Sequence, residues 1–207
     1  MPHVSHTPAA DSDGRRLRRD RNRDAVVQAL LELYNEGNLA PSVDEIAARS
    51  GVSARSLFRY FDDVDDLCRA AIDQQQQAVR HLVPIGSEPG QPFPDRVAAL
   101  VRQRAELFEA IESVATVSRL RAPFQLVVAD GLTEGRAFLR SQLATLFAEE
   151  LEAMPPGSAA GRLAAADVVA SFESWRLLRD DQRLTRSAAA TAIAEALTAL
   201  LSPDRSI

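Results

Sequence analysis

Six arginines fall within nine positions, Arg15, Arg16, Arg18, Arg19, Arg21 and Arg23, and two more, Arg55 and Arg59, stand one helical turn apart further along. Guanidinium groups at such density suit a polyanion, because each presents a planar fork of N–H donors to phosphate oxygens or to a guanine edge. The charge balance agrees. Residues 15–61 hold nine arginines against six carboxylates, residues 62–207 hold fifteen against twenty-one, and the chain as a whole carries −5. A basic start ahead of an acidic remainder points to a local contact with nucleic acid rather than to general coating. The same cluster also reads as a solvated tail, since all 24 basic residues are Arg and none is Lys.

Other chemistry is poorly served. His3, His6 and His81 have no Cys or His at metal-ligand spacing, and the single Cys68 can form no internal disulfide, which fits a reducing compartment. Neither a Gly-rich phosphate loop nor a nucleophile elbow occurs. Glu149, Glu150 and Glu152, and the pair Asp180 and Asp181, read as solvated helix ends rather than catalytic carboxylates. The expectation is no catalysis, no cofactor and no metal. Apolar runs stop short of 18 residues and Met1–Asp13 lacks an apolar signal core, so no membrane segment and a cytoplasmic location are expected.

The elements that must position the arginines are helical. Apolar residues recur at spacings of three and four, while strand-like alternation is missing, and 207 residues with 46% hydrophobic content suffice for one or two domains. The spacing predicts a first helix over about 22–36, with Val26, Ala29, Leu30, Leu33 and Tyr34 on one face and Gly37 as its stop. Ser42-Val43-Asp44-Glu45 has the spacing of a capping box and opens a second helix, which ends at Ser50-Gly51. Ser53 caps a third, reaching about Tyr60 with Leu57 and Phe61 inward; a fourth starts at Asp62 or Asp63 and passes Ile72. Two short helices joined by Ser50, Gly51 and Val52 form a helix-turn-helix, whose second helix can enter a major groove.

Beyond the fourth helix, residues 84–94 form a breaker-rich loop, leaving that helix as the one continuous link to the rest. Further helices are predicted over about 95–112, 114–121, 123–153 and 161–179, and Thr185 caps a last one over about 186–201. Cys68 reads as a small core residue. Phe108, Phe124, Phe138, Phe147, Phe172 and Trp175 are the aromatics available to a pocket, or to an ordinary core.

The sequence resembles the TetR family of bacterial transcriptional regulators. The resemblance rests on Arg23, Val26, Ala29, Leu33, Tyr34 and Gly37, on the run Ser42–Ser53, and on Ser56-Leu57-Phe58-Arg59-Tyr60-Phe61 closing at Leu67. It implies an all-α fold of about nine helices: a flexible basic arm over 1–21, a three-helix DNA-binding domain over 22–62, and a regulatory and dimerisation domain over 63–207. It further implies a homodimer on a double-stranded operator, repression relieved by a small-molecule effector, and no membrane partner.

Carried onto this chain, the DNA-facing positions are Arg19, Arg21, Arg23, Ser42, Ser53, Ala54, Arg55, Ser56, Phe58, Arg59 and Tyr60; Ser42 and Ser53 are equally explained as helix caps. Phe58 stands where the family often has Tyr, and Val64 where it often has Lys. Asp62, Asp63, Asp65 and Asp66 suit the first turn of a helix but repel phosphate, which would shift affinity onto the arginine arm. The implied pocket draws on Phe108, Phe124, Phe138, Phe172 and Trp175. The stretch Trp175–Thr185 is similar to that of some actinobacterial members, a few of which respond to acyl-CoA, implying an acyl-CoA-like or otherwise hydrophobic effector. The competing reading is a helical adaptor that binds no DNA.

Overall fold

A computed structural model describes residues 9–202, and the pattern of caps and breakers accounts for most of the element boundaries in it. Ten α-helices occur among the described residues: α1 Ala9–Asn35, α2 Val43–Ser50, α3 Ala54–Tyr60, α4 Val64–Val79, α5 Phe93–Arg121, α6 Leu126–Leu146, α7 Ala148–Glu152, α8 Ala159–Val169, α9 Phe172–Arg176 and α10 Arg186–Leu201. The chain is all-α, as its periodicity requires.

The first four stops and starts follow sequence chemistry. Gly37 adopts φ 85° after α1, where its N–H and that of Asn38 return to the carbonyls of Tyr34 and Leu33. Ser42 and Glu45 cap α2 reciprocally: the Ser42 hydroxyl accepts from the Glu45 N–H at 3.3 Å, and the Glu45 carboxylate accepts from the Ser42 N–H at 2.7 Å. Gly51 ends α2 in the left-handed region at φ 69°, and Ser53 caps α3. Asp63 accepts the Asp66 N–H at 2.7 Å and so caps α4.

Helix α1 is longer than the spacing predicts. It begins at Ala9 rather than near Asn22, so Arg15 to Arg21 lie on a helix. Arg is a good helix former, and no proline follows Pro8 before Pro41. Residues 1–8 of the expected arm, with His3 and His6, lie outside the described residues.

The C-terminal helices depart further. The expected helices 95–112 and 114–121 are one, α5, because no Gly or Pro stands between Asp95 and Arg121 to stop it. Conversely the expected 123–153 divides at Phe147 into α6 and α7. Phe147 is fully buried, edge-on to Phe93 at 5.7 Å between ring centroids. The expected 161–179 divides at Ser171, which turns extended and caps α9 by accepting the Ser174 N–H. A π-turn, Leu177–Asp181, follows α9.

The chain forms two units. One runs through Gln77 and includes Ser113–Asp130; the other comprises Ala78–Glu112 and the chain from Gly131 onward. In the first, Val26, Leu30, Leu33 and Tyr34 of α1 pack with Ile46, Leu57, Phe61 and Leu67, and Val117 of α5 joins them. Burying Leu57 and Phe61 contributes about 1.5–3 kcal/mol each. The C-terminal part of α5 therefore belongs to the N-terminal unit, and α4 is not the single continuous link expected from the loop at 84–94: α5 contributes residues to both units.

The second unit buries Leu100, Phe108, Leu143, Phe147, Phe172, Trp175, Ile193, Leu197 and Leu201. It is also held by an ion pair. Arg96 and Glu150 are both buried and meet bidentately, at 2.5 and 2.9 Å, while Arg96 also donates to the carbonyls of Leu146 and Gln91. Burial alone would raise the Glu150 pKa, but the hydrogen bonds and charge of Arg96 outweigh it and hold the carboxyl below its ordinary value. A depressed carboxyl contributes stability that is complete above the unfolded pKa and is lost as pH falls through the folded one. Glu150→Gln leaves Arg96 buried without its anion, so urea unfolding at neutral pH should show a loss of about 3–5 kcal/mol. The variant's stability should also depend less on pH on the acid side.

Candidate nucleic-acid interface

Helix α3 has seven residues, and its two faces are chemically opposite. Leu57 is buried, whereas Arg55, Phe58 and Arg59 are exposed at i, i+3 and i+4. Neither Arg55 nor Arg59 makes a hydrogen bond or ion pair with a described residue. Two exposed cations on one face of a short helix, with no acceptor among the described residues, can reach base edges or phosphates.

The residues around α3 hold it in place. Ser53 accepts the Ser56 N–H at 3.2 Å and its hydroxyl donates to the Ser56 hydroxyl at 2.9 Å, so both serines are engaged in the cap. Ser42 is likewise committed to Glu45, its hydroxyl donating to the carboxylate at 2.7 Å. Asn38 donates to Glu45 at 3.1 Å, and these contacts hold the Glu45 carboxyl below its ordinary pKa, the Ser42 N–H contributing most. Tyr60 is half-buried, and its hydroxyl accepts from the Asn22 amide at 2.8 Å, which ties the end of α3 to α1.

Among the expected DNA-facing arginines, Arg19 is exposed on α1 without a described partner, and Arg21 reaches back to the Leu17 carbonyl at 3.3 Å. Arg23 is different. It pairs with Asp66 at 3.3 Å and lies over the Phe61 ring at 4.8 Å, so its charge is partly spent inside the unit. Asp66 also accepts the Asp62 N–H at 3.3 Å. Two of the four carboxylates opening α4 therefore have structural duties: Asp63 is a cap and Asp66 a counter-ion. Ala54 and Ser56 are half-buried, and Phe58 is 63% exposed.

Several supports were not singled out from sequence. Arg49 meets Glu36 bidentately, both bonds 2.8 Å, and fastens α2 to α1. Arg121, at the end of α5, donates to the Tyr34 hydroxyl at 2.7 Å. Burial raises the Tyr34 pKa although the Arg121 charge acts the other way. Neither pairing has a local signal, because 13 and 87 positions separate the partners. Behind α3 lies an apolar cavity of ≈ 150 Å³, lined by Leu30, Ile46, Leu57 and Phe61 and edged by the exposed Phe58 and Val64. Cys68 is buried, and burial pushes its thiol pKa up, as suits an inert core residue.

The expected pocket aromatics separate. Phe108 and Phe172 are buried and meet edge-on at 5.7 Å, and Trp175 is buried one turn beyond Phe172. Phe138 is 48% exposed, and Phe124 is 87% exposed in the N-terminal unit, so neither joins that buried group. Periodicity placed all five on apolar positions but could not say which helix faces were covered.

A short helix carrying free arginines after a glycine turn, braced by two further helices, defines a helix-turn-helix DNA-binding domain. Residues 26–71 match the family model described as bacterial regulatory proteins, tetR family. The matched stretch takes in α2, α3 and the glycine turn between them. The whole fold is similar to three solved structures. One, from Rhodococcus sp. and assigned to TetR-family transcriptional regulators, is 18% identical with a TM-score of 0.67, covering 87% of this chain and 99% of its own. A TetR-family transcriptional regulator from Streptomyces coelicolor is 20% identical with a TM-score of 0.64, covering 86% and 81%. A transcriptional regulator from Rhodococcus sp. Rha1 is 16% identical with a TM-score of 0.60, covering 88% and 95%. A search of curated proteins finds no sequence that matches the chain.

If Arg55 or Arg59 reads a base, its replacement by Ala should weaken binding to the cognate site by about 1–3 kcal/mol and leave binding to random DNA nearly unchanged. Fluorescence anisotropy on both duplexes separates this from a phosphate contact, which would weaken the two alike.

Proposed function

We propose that the chain is a homodimeric transcriptional repressor that binds a palindromic operator and is released by a small effector with a hydrophobic body. The exposed Arg55–Phe58–Arg59 face of α3, within the matched residues 26–71, is the observation that carries this reading. Exposed arginines of α1 supply phosphate contacts beside it. One seven-residue helix reads few base pairs, whereas a dimer sets two of them in successive major grooves about 34–36 Å apart.

The outward faces of α8 and α10 suit the dimer contact. Gly161, Ala164 and Val168 are exposed at i, i+3 and i+7 on α8, and Ala188, Thr191 and Thr198 are exposed on α10. Val168, at 64% exposure, is a large apolar side chain without cover. Small residues let helices approach closely, and such a face is self-complementary about a two-fold axis. Within the chain α8 and α10 already pack together, and Arg162 caps α10 by donating to the Leu200 carbonyl at 3.0 Å.

The role calls for no catalysis and no cofactor, and a bacterial repressor works where the chromosome is, in the cytoplasm. No described helix is long and apolar enough to cross a membrane. Release requires that the effector favour the non-binding state; about 5.5 kcal/mol takes an equilibrium from 1:99 to 99:1. Both α4 and α5 offer covalent continuity for that coupling.

Genome-wide selection of bound DNA fragments is the deciding experiment: an enriched palindrome is expected, and an unenriched pool would favour the adaptor reading. Sedimentation of Val168→Arg should show a shift toward monomer, with weaker operator binding in parallel. Replacing Arg15, Arg16, Arg18 and Arg19 together by Ala should flatten the log–log salt dependence by roughly 0.9 for each phosphate contact removed. An unchanged slope would mark these residues as a solvated helix end.

A further inference from the structure

Among the described residues of the C-terminal unit two arginines are buried, and one of them is answered by a carboxylate. Arg96 and Arg104 are each 2% exposed and lie two turns apart on α5. Arg96 has Glu150 against it. Arg104 has no carboxylate within ion-pair distance among the described residues; the one acid whose charge acts on it, Asp167, pairs with Arg140 at 3.4 Å.

The partners of Arg104 are all neutral. Its Nη1 donates to the side-chain oxygens of Gln103 at 2.5 Å and Gln142 at 3.0 Å, and Nη2 donates to the Leu139 carbonyl at 3.0 Å. Its Nε–H is buried with no acceptor among the described residues. Burial pushes the pKa of this group down to about 10, so the guanidinium still carries its charge at neutral pH. A buried cation with no counter-ion in contact is costly, and an orphaned N–H adds to that cost. The group is also held in orientation. The amide nitrogen of Gln103 donates to the Leu82 and Val83 carbonyls, at 2.7 and 3.3 Å, and that of Gln142 to the Val83 carbonyl at 3.0 Å. The network fixes a charged fork and leaves its Nε edge without a partner.

Apolar core residues flank it along α5. Leu100 and Phe108, one turn before and one turn after Arg104 on α5, are fully buried, and Val101 and Leu107 are nearly so. An anion reaching the free edge must bring an apolar body with it.

We propose that Arg104 is the anion-binding group of the effector site, and that the effector is an apolar monocarboxylate whose carboxylate takes the Nε edge of that guanidinium. This rests on the reading of the chain as an effector-released regulator, and it commits that reading to one ligand class. The glutamines position the fork, and the carboxylate supplies the missing counter-charge. A charge-assisted contact of this kind separates an acid from the alcohol of equal length, because the hydroxyl leaves the cation unneutralised.

Calorimetry on the full chain without DNA is the test. The probes are benzoate and the straight-chain acids from butanoate to hexadecanoate, each set against its primary alcohol. At least one acid should bind, and about tenfold or more tightly than its alcohol. Arg104→Gln should abolish that preference, and Arg104→Lys, which keeps the charge, should retain part of it. Equal binding of acid and alcohol, or no binding by any acid, overturns the proposal, and neither outcome depends on a variant folding. Loss of acid and alcohol binding alike in a folded Arg104→Gln protein also overturns it, by showing a structural role. Operator release by the same acid is measured separately. Acid binding through Arg104 with no DNA binding would sink the repressor reading and leave the site standing, whereas operator binding with no acid preference would do the reverse.

Discussion

Leu57 and Phe61 anchor a helix too short to persist in water by itself, and the position of everything that could touch DNA depends on that anchorage. Seven residues barely exceed the costly nucleus of a helix. The stability of α3 therefore comes from its apolar face against α1, from Ser53 at its start and from the Tyr60–Asn22 bond at its end. Once it is held in this way, Arg55 and Arg59 need no further support. They have no partner among the described residues, which is the condition for offering their donors to another molecule.

The same constraint explains why so many charges near α3 are already paired within the unit. Arg23 stacks on Phe61 and pairs with Asp66; Arg49 binds Glu36; Arg121 reaches Tyr34. Each fastens a neighbouring helix to α1, and each removes a guanidinium from the set available to phosphate. The acidic opening of α4 is therefore less repulsive than its composition suggests. Asp66 is matched by a cation and Asp63 by a helix N–H, leaving Asp62 and Asp65 as the carboxylates that phosphate would meet.

Buried charge is treated in two ways within the C-terminal unit. Arg96 and Glu150 neutralise each other among aromatic rings, Phe93 and Phe147, in the manner of a structural pair. Arg104, on the same helix, is satisfied in hydrogen bonds at Nη1 and Nη2 but not in charge. A core built for stability alone would gain by an apolar residue there, and that contrast within a single helix distinguishes a position kept for packing from one kept for binding.

The sequence by itself determined the N-terminal half of this picture, because its signals are local. A capping box spans four residues, a glycine stop one, and the 3.6-residue period a few turns, so α2, α3, the turn at Gly51 and the exposed arginines could be read directly. The same locality set the limits. Where α1 begins, whether α5 continues past Ser113 and where α6 ends at Phe147 follow from propensity summed over long stretches and from which side chain the core draws in. The pairings Arg23–Asp66, Arg121–Tyr34 and Arg96–Glu150 join residues dozens of positions apart, and no spacing rule marks them. For the aromatics, period told which face of a helix was apolar but not what covered it: Phe108 and Phe172 found each other, while Phe124 was left in solvent. Only the tertiary structure could show that Arg104 is buried without an anion, since burial and charge compensation are properties of neighbours brought together by folding.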